Sequence, residues 1–233
     1  MQLGISNISW LSENIKKNTM TALDSGFNYI ESAYIKVPMS KSVYAIQGVF
    51  YKSGIESFED PKCEKYFRKV IDSCLKNNIK VITFGSPSMR IGNKEKMLNL
   101  LANIDAYIDK RDCIVCVEPN SKIYNGKYYY SLDEIVSDIH SFNNVKTMID
   151  SGNLYLEGYD SITEYQKYKE FICHVHLSTS NLDPIRIYRP YIDLVSSIKE
   201  LGYDGGITYE YLHSYNVEQE IKIFLEKMLP LFP

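Results

Sequence analysis

The chain has 233 residues, 45% hydrophobic and 24% charged, with a net charge of −3, which is ordinary globular composition and enough length to bury a core without a disulfide or zinc staple. Its Lys and Arg are scattered, which argues against a nucleic-acid or anionic-membrane partner. Five cysteines, at 63, 74, 113, 116 and 173, are an odd number with three inside expected strands, so they read as small core residues of a reducing compartment.

In chain order, strand 1 is QLGIS (2–6). The N-terminus has no signal-peptide pattern, and no run approaches the ~18–20 apolar residues of a membrane span, so a cytoplasmic protein is expected. A helix is predicted from about Glu13 to Ser25, capped by Ser12 and ended by Gly26. Strand 2 is NYIES (28–32), and strand 3, VYAIQGVFY (43–51), follows after only ten residues, too few for a full crossover helix. Tyr66, Phe67, Val70, Ile71, Cys74 and Leu75 recur at helical spacing after Asp60-Pro61. Strand 4 is KVITFGS (80–86), with a helix from about Lys94 to Ile108.

Four further strands follow: CIVCVEP (113–119), VKTMID (145–150), CHVHLS (173–178) and GITYEYL (206–212). Between and after them come helices at LDEIVSDIHSF, around Ile162–Tyr168, at Tyr191–Leu201 and from Val217 to Leu229. Strands 4 to 8 start at intervals of about 27 to 34 residues, the length of a βα unit. The expected fold is therefore α/β: one TIM (β/α)8 barrel domain over 1–233, with the helix after strand 2 short or missing. A doubly wound open sheet is the alternative, but no G-x-G-x-x-G follows strand 1. Cys113 and Cys116 form a C-x-x-C string inside a strand, where the spacing suits neither redox chemistry nor zinc.

Each of the last four strands is apolar until a metal-capable residue near its C-terminal end: Glu118, Asp150, His176 and Glu210. The C-terminal strand ends of a barrel meet at one face, where its chemistry is built. Any one of these residues alone would read as a strand-end polar group, but four in register point to a shared site. Three carboxylates and one imidazole suit one divalent ion of the Mn, Mg, Co or Zn group.

The order of E-P-N after strand 5, D-S-G-N after strand 6, H-V-H-L-S at strand 7 and T-Y-E at strand 8 resembles the xylose isomerase-like TIM barrels, as do GSPSMR after strand 4 and AIQGVFY on strand 3. That superfamily includes sugar and sugar-phosphate isomerases and epimerases, inosose dehydratases and endonuclease IV. The resemblance implies that Glu118, Asp150, His176 and Glu210 hold the metal and that Glu118 and Glu210 shuttle protons. The chemistry is consistent: two carboxylates on opposite sides of a flat enediolate can deprotonate one face and reprotonate the other, while a divalent ion stabilises its charge.

By the same resemblance Gln47, Arg90 and Tyr124 are pocket residues. Asn153 and Thr179 depart from the commonest pattern, a His and an acid respectively, at positions that orient substrate. Arg186 and Arg189 after strand 7 could clamp an anion through the planar guanidinium fork, or pair with a loop acid such as Asp183. His174 is placed one layer below His176, and His140 and His213 at the surface or rim.

The leading reading is a metal-dependent sugar or sugar-phosphate isomerase or epimerase whose partner is a small sugar, with self-association into a homo-oligomer left open. An inosose-type dehydratase begins with the same proton abstraction. A non-catalytic sugar-binding barrel is a further alternative, as is an abasic-site endonuclease, which four His in all and the net charge of −3 speak against.

Overall fold

The computed structural model describes residues 1–10, 14–33, 42–212 and 216–232. Among these, parallel strands β1 (Gln2–Ser6), β2 (Tyr29–Ser32), β3 (Val43–Ile46), β4 (Val81–Phe84), β5 (Ile114–Val117), β6 (Val145–Asp150), β7 (Ile172–Leu177) and β8 (Gly206–Tyr209) pair in sequence order. β8 pairs back onto β1, closing the barrel. Around it lie helices α1 (Ile15–Ser25), α2 (Cys63–Lys76), α3 (Lys94–Ile108), α4 (Leu132–Ile139), α5 (Ser151–Leu156), α6 (Ser161–Tyr168), α7 (Arg189–Glu200) and α8 (Val217–Met228). This is the expected TIM barrel. No helix among the described residues is long and apolar enough to cross a membrane.

The helices bury one apolar stripe against the outside of the barrel, as α2 does with Phe67, Val70, Ile71 and Cys74. Inside, Ala45, Val81, Cys116 and Met148 form a small apolar layer with Tyr44 and Cys173 packed against it. Strand residues two positions further on point the same way, so the layers above carry the polar groups: Thr83 and His174, then Glu118, Asp150 and His176. All strands run parallel, so every polar strand end converges on the same mouth.

Several local expectations are corrected. Strand 3 stops at Ile46, not Tyr51. Gly48 adopts a left-handed φ of +61°, and a Cβ there would lie 3.0 Å from the Ala33 carbonyl oxygen. The chain turns there and sends Phe50 into a cluster with Phe67 and Phe84, at centroid distances of 5.5 and 5.7 Å. Burial of that aromatic face outweighs continued strand pairing. Helix α2 starts at Cys63, with Pro61 before it rather than in its first turn, and the Asp60 carboxylate accepts from Lys62 N at 2.8 Å. Helix α1 starts at Ile15 after a left-handed Asn14 that offers no side-chain cap. Ser12, Glu13 and His213 lie outside the described residues, as does 34–41, where the helix after strand 2 was expected to be short or missing.

The short α5 was not anticipated. It follows β6 without a break, and Asp150 caps it by accepting from Asn153 N at 2.7 Å. A Cβ on Gly152 in this helix would sit 2.4 Å from the Thr179 carbonyl oxygen and 2.8 Å from Ser178 Oγ. Gly152→Ala should therefore lose about 1–3 kcal/mol of stability through overpacking. Denaturant titration reads it, and an unchanged midpoint would mean that α5 shifts freely from β7.

Candidate active site

Glu118 lies one residue past β5, Asp150 ends β6, His176 is the penultimate residue of β7, and Glu210 follows β8. The structure brings these four together: one donor atom from each lies within 4.8 Å of all the others. The hub is His176 Nδ1, which is 3.2 Å from Glu210 Oε2, 3.5 Å from Glu118 Oε1 and 3.6 Å from Asp150 Oδ2. His176 is fully buried, and its Nδ1 has no hydrogen-bond partner.

Three buried carboxylates around one unsatisfied imidazole nitrogen require positive charge at their centre. A proton on His176 supplies one unit, and a divalent cation supplies two while accepting the nitrogen lone pair. The residues fit such an ion, and the oxygen-rich donor set matches Mn, Mg, Co or Zn. Burial pushes the Glu118 carboxyl up to about 7, and the charges of Asp150 and Glu210 add to this against the pull of His176. Burial opposes the charged form of His176, but Glu31 and Glu210 overcome it and raise its pKa well above the usual histidine value.

Both groups are raised, so in metal-free protein the stability they confer is complete at low pH and is lost as pH rises through their folded values, about 7 for Glu118. Added Mn2+ or Co2+ should reverse the loss, raising stability by about 2.7 kcal/mol at a free concentration 100-fold above Kd. Metal affinity should weaken below pH 7, where Glu118 holds a proton that the ion must displace. Thermal unfolding with and without metal at pH 6 and 8 measures this. Identical metal-free curves at the two pH values would contradict it.

Beneath the hub lies a residue that sequence reasoning missed. Glu31, the third residue of β2, is fully buried, and its Oε2 accepts from His176 Nε2 at 3.0 Å, His174 Nε2 at 2.9 Å and Thr208 Oγ1 at 2.7 Å. Its Oε1 accepts from Thr83 Oγ1 at 2.8 Å. Burial alone would raise this carboxyl, but His176 and His174 hold it well below the usual range. The bond to His176 Nε2–H leaves the Nδ1 lone pair free to face the site. Glu31, His174 and His176 are themselves close enough to hold a metal, but Glu31 already accepts hydrogen bonds from two histidines and two threonines, so this lower group reads as a support. The available signal was the same as for the four ligands: an acid closing an apolar strand, in NYIES. His174 sits one layer down, where alternation puts it.

Around the ligands, Asp150 Oδ1 accepts from Ser178 Oγ at 2.9 Å, and Glu118 Oε2 accepts from Asn120 Nδ2 at 3.1 Å. Tyr124 is exposed on the turn after β5; burial of part of the ring and then the charges of Asp150, Glu118 and Glu210 raise its hydroxyl. Gln47 follows β3 and donates to Ser6 Oγ at the end of β1. Asn153 accepts from Ser121 N at 2.9 Å, tying α5 to the loop after β5.

Two arginines differ from expectation. Arg90 is fully buried, with its Nη2 donating to the Phe84 and Glu118 carbonyl oxygens at 3.0 and 2.8 Å, so one arm of its fork is committed to the backbone at Glu118. Arg186 forms a two-pronged ion pair with Glu220 on α8, both contacts at 2.6 Å, which commits its fork to the helix. Arg189 pairs with Asp193 one turn along α7. Thr179 donates to the Asp183 carbonyl oxygen at 3.0 Å and so braces its own loop.

No protein-family model matches the sequence, and no curated protein does. Solved structures match over nearly the whole chain. A D-allulose 3-epimerase from Methylomonas sp. superimposes with a TM-score of 0.78 at 12% identity, covering 100% of this chain and 98% of that one. An AP endonuclease, family 2, from Brucella melitensis gives 0.77 at 16%, covering 97% and 99%. A probable 3-DHS dehydratase from Bacillus anthracis gives 0.71 at 12%, covering 99% of each. The eight-stranded parallel barrel is shared with these structures, and at these identities the likeness establishes the fold alone.

Proposed function

We propose that this barrel is a divalent-metal-dependent sugar or sugar-phosphate isomerase or epimerase of the xylose isomerase-like kind. The observation that carries the reading is the pair of carboxylates, Glu118 from β5 and Glu210 from β8, reaching one buried point from walls three strands apart. Glu118, Asp150, His176 and Glu210 would hold the ion. Such an ion supplies Lewis-acid stabilisation of the negative charge that develops on substrate oxygens when a proton leaves the adjacent carbon.

The proton work falls to the protein. Glu118, with its carboxyl at about 7 before metal binds, and Glu210 are the base and acid on the two sides of the flat enediolate. Glu31 holds His176 in the tautomer that keeps Nδ1 available, and Ser178 fixes one oxygen of Asp150. Tyr124, whose hydroxyl feels the charges of the same carboxylates, would donate to a sugar oxygen.

Metal analysis combined with solvent-deuterium exchange into ketoses, aldoses, their phosphates and inososes tests the proposal. Metal-dependent exchange at the carbon next to the carbonyl, abolished by chelator, is expected. Exchange followed by loss of water would assign the dehydratase alternative, the chemistry named for the Bacillus anthracis neighbour. Metal-loaded protein that exchanges no proton with any of these compounds would leave the sugar-binding reading in its place.

A further inference from the structure

We propose that the stretch Phe84–Arg90, FGSPSMR, is a seat for Glu118, in which Gly85 and Arg90 are positioning residues acting on opposite ends of that glutamate. In naming what Glu118 does, this rests on the proposed function; as a statement about how Glu118 is held, it does not.

The carboxylate end is set by Gly85. A Cβ at this position would lie 2.1 Å from Glu118 Oε2 and 3.3 Å from its Cδ, far inside van der Waals contact. The Glu118 side chain occupies the space that any other residue would fill. The missing Cβ lets the carboxylate lie against the end of β4, where Asn120 Nδ2 reaches the same oxygen at 3.1 Å.

The backbone end is set by Arg90. Ser86 takes a left-handed conformation (φ 52°, ψ 57°), Pro87–Met89 make one tight turn, and the chain doubles back on Phe84. Arg90 Nη2 then bridges the Phe84 and Glu118 carbonyl oxygens at 3.0 and 2.8 Å, while Glu118 N donates to the same Phe84 oxygen at 3.2 Å. Glu118 is thus tied to the end of β4 through both its amide and its carbonyl. The Arg90 backbone oxygen accepts from Lys127 N at 2.7 Å, locking the turn to the loop after β5.

Arg90 makes no hydrogen bond to a carboxylate. Its Nε and Nη1 have no partner, and its guanidinium carbon lies 5.5 Å from the Tyr129 ring centroid. A cation removed from water without a carboxylate in direct contact is costly, and the bridge between two strand-end carbonyls is the contact it makes in return. A substrate clamp would need the fork exposed, and here it is sealed beneath the residue it supports.

The test uses Gly85→Ala, Glu118→Ala, their double variant, Arg90→Lys and Arg90→Met. It reads thermal midpoint, Co2+ affinity by visible absorption, and the separate values of kcat and KM. Gly85→Ala should displace the Glu118 carboxylate, lowering Co2+ affinity at least about tenfold and kcat about 100-fold with KM little changed. In the Glu118→Ala background the same change should have no further effect on the midpoint, because the clashing carboxylate is gone. Should Gly85→Ala fail to fold, recovery of folding in the double variant supports the seat.

Arg90→Lys keeps a cation that can donate to both carbonyls and should retain more Co2+ affinity and kcat than Arg90→Met, again with KM little changed. A Gly85→Ala penalty that persists without Glu118 would overturn the seat, as would an Arg90→Met variant that raises KM at unchanged kcat and Co2+ affinity. Wild-type protein that binds no Co2+ and exchanges no proton would refute the proposed function, while the thermal cycle would still decide how Glu118 is held.

Discussion

Replacing Glu118 or Glu210 by Gln should abolish turnover while leaving a folded, metal-binding barrel. Both carboxylates reach the hub from different strands, at 3.5 and 3.2 Å from His176 Nδ1. Glutamine keeps the length and a neutral oxygen for the ion, but it takes up no proton. Loss of one acid–base group alone is worth about 10²–10⁴-fold in rate, so kcat should drop by at least about 10²-fold, with metal affinity falling far less. The two variants should also differ from each other. Without the abstracting glutamate, deuterium exchange disappears altogether. Without its partner, exchange at the original face continues and inversion stops. Measuring exchange and product stereochemistry side by side distinguishes these, and a Gln variant retaining a tenth of wild-type turnover would sink the assignment.

The largest structural effect is expected at Glu31. It is fully buried and accepts from Thr83, Thr208, His174 and His176. Glu31→Ala would remove the acceptor shared by four donors and the negative charge that faces His176. Breaking a buried charged pair from one side typically destabilises by about 3–5 kcal/mol. Released from Glu31, the His176 ring also loses what holds its proton on Nε2, so metal affinity should fall about 10- to 100-fold. Glu31→Gln preserves volume and one acceptor but turns an amide N–H toward donors that need an oxygen, so its loss should be intermediate. Denaturant titration and metal titration on both variants provide the check. A Glu31→Ala protein as stable and as metal-avid as wild type would show that His176 is positioned by something else.

The clustered carboxylates and histidine of the candidate site were legible in the sequence because their signal is local. An apolar strand that ends in an acid or imidazole says where the polar group sits along the strand, and a parallel barrel brings all such ends to one mouth. Period-two alternation likewise placed His174 one layer below His176. Glu31 carried the same signature but sat on a strand without a resembling motif, so its role emerged only when β2 and β7 were seen to face each other across the barrel interior.

Partner choice was not legible, because it depends on contacts between segments far apart in the chain. Arg90 meets the Glu118 carbonyl 28 residues away, and Arg186 meets Glu220 34 residues away. A guanidinium in a mouth-side loop reads identically in sequence whether its fork faces substrate, a carbonyl pair or a helix on the outer wall. Strand 3 shows the same limit from the other direction. Its run of β-forming residues favours a strand to Tyr51, but the aromatic pocket formed by Phe67 and Phe84 takes Phe50 and ends the strand at Ile46. Local pattern determined the barrel, its closing order and the four clustered residues of the candidate site; burial and long-range hydrogen bonding decided which polar groups reach that site and which hold up its walls.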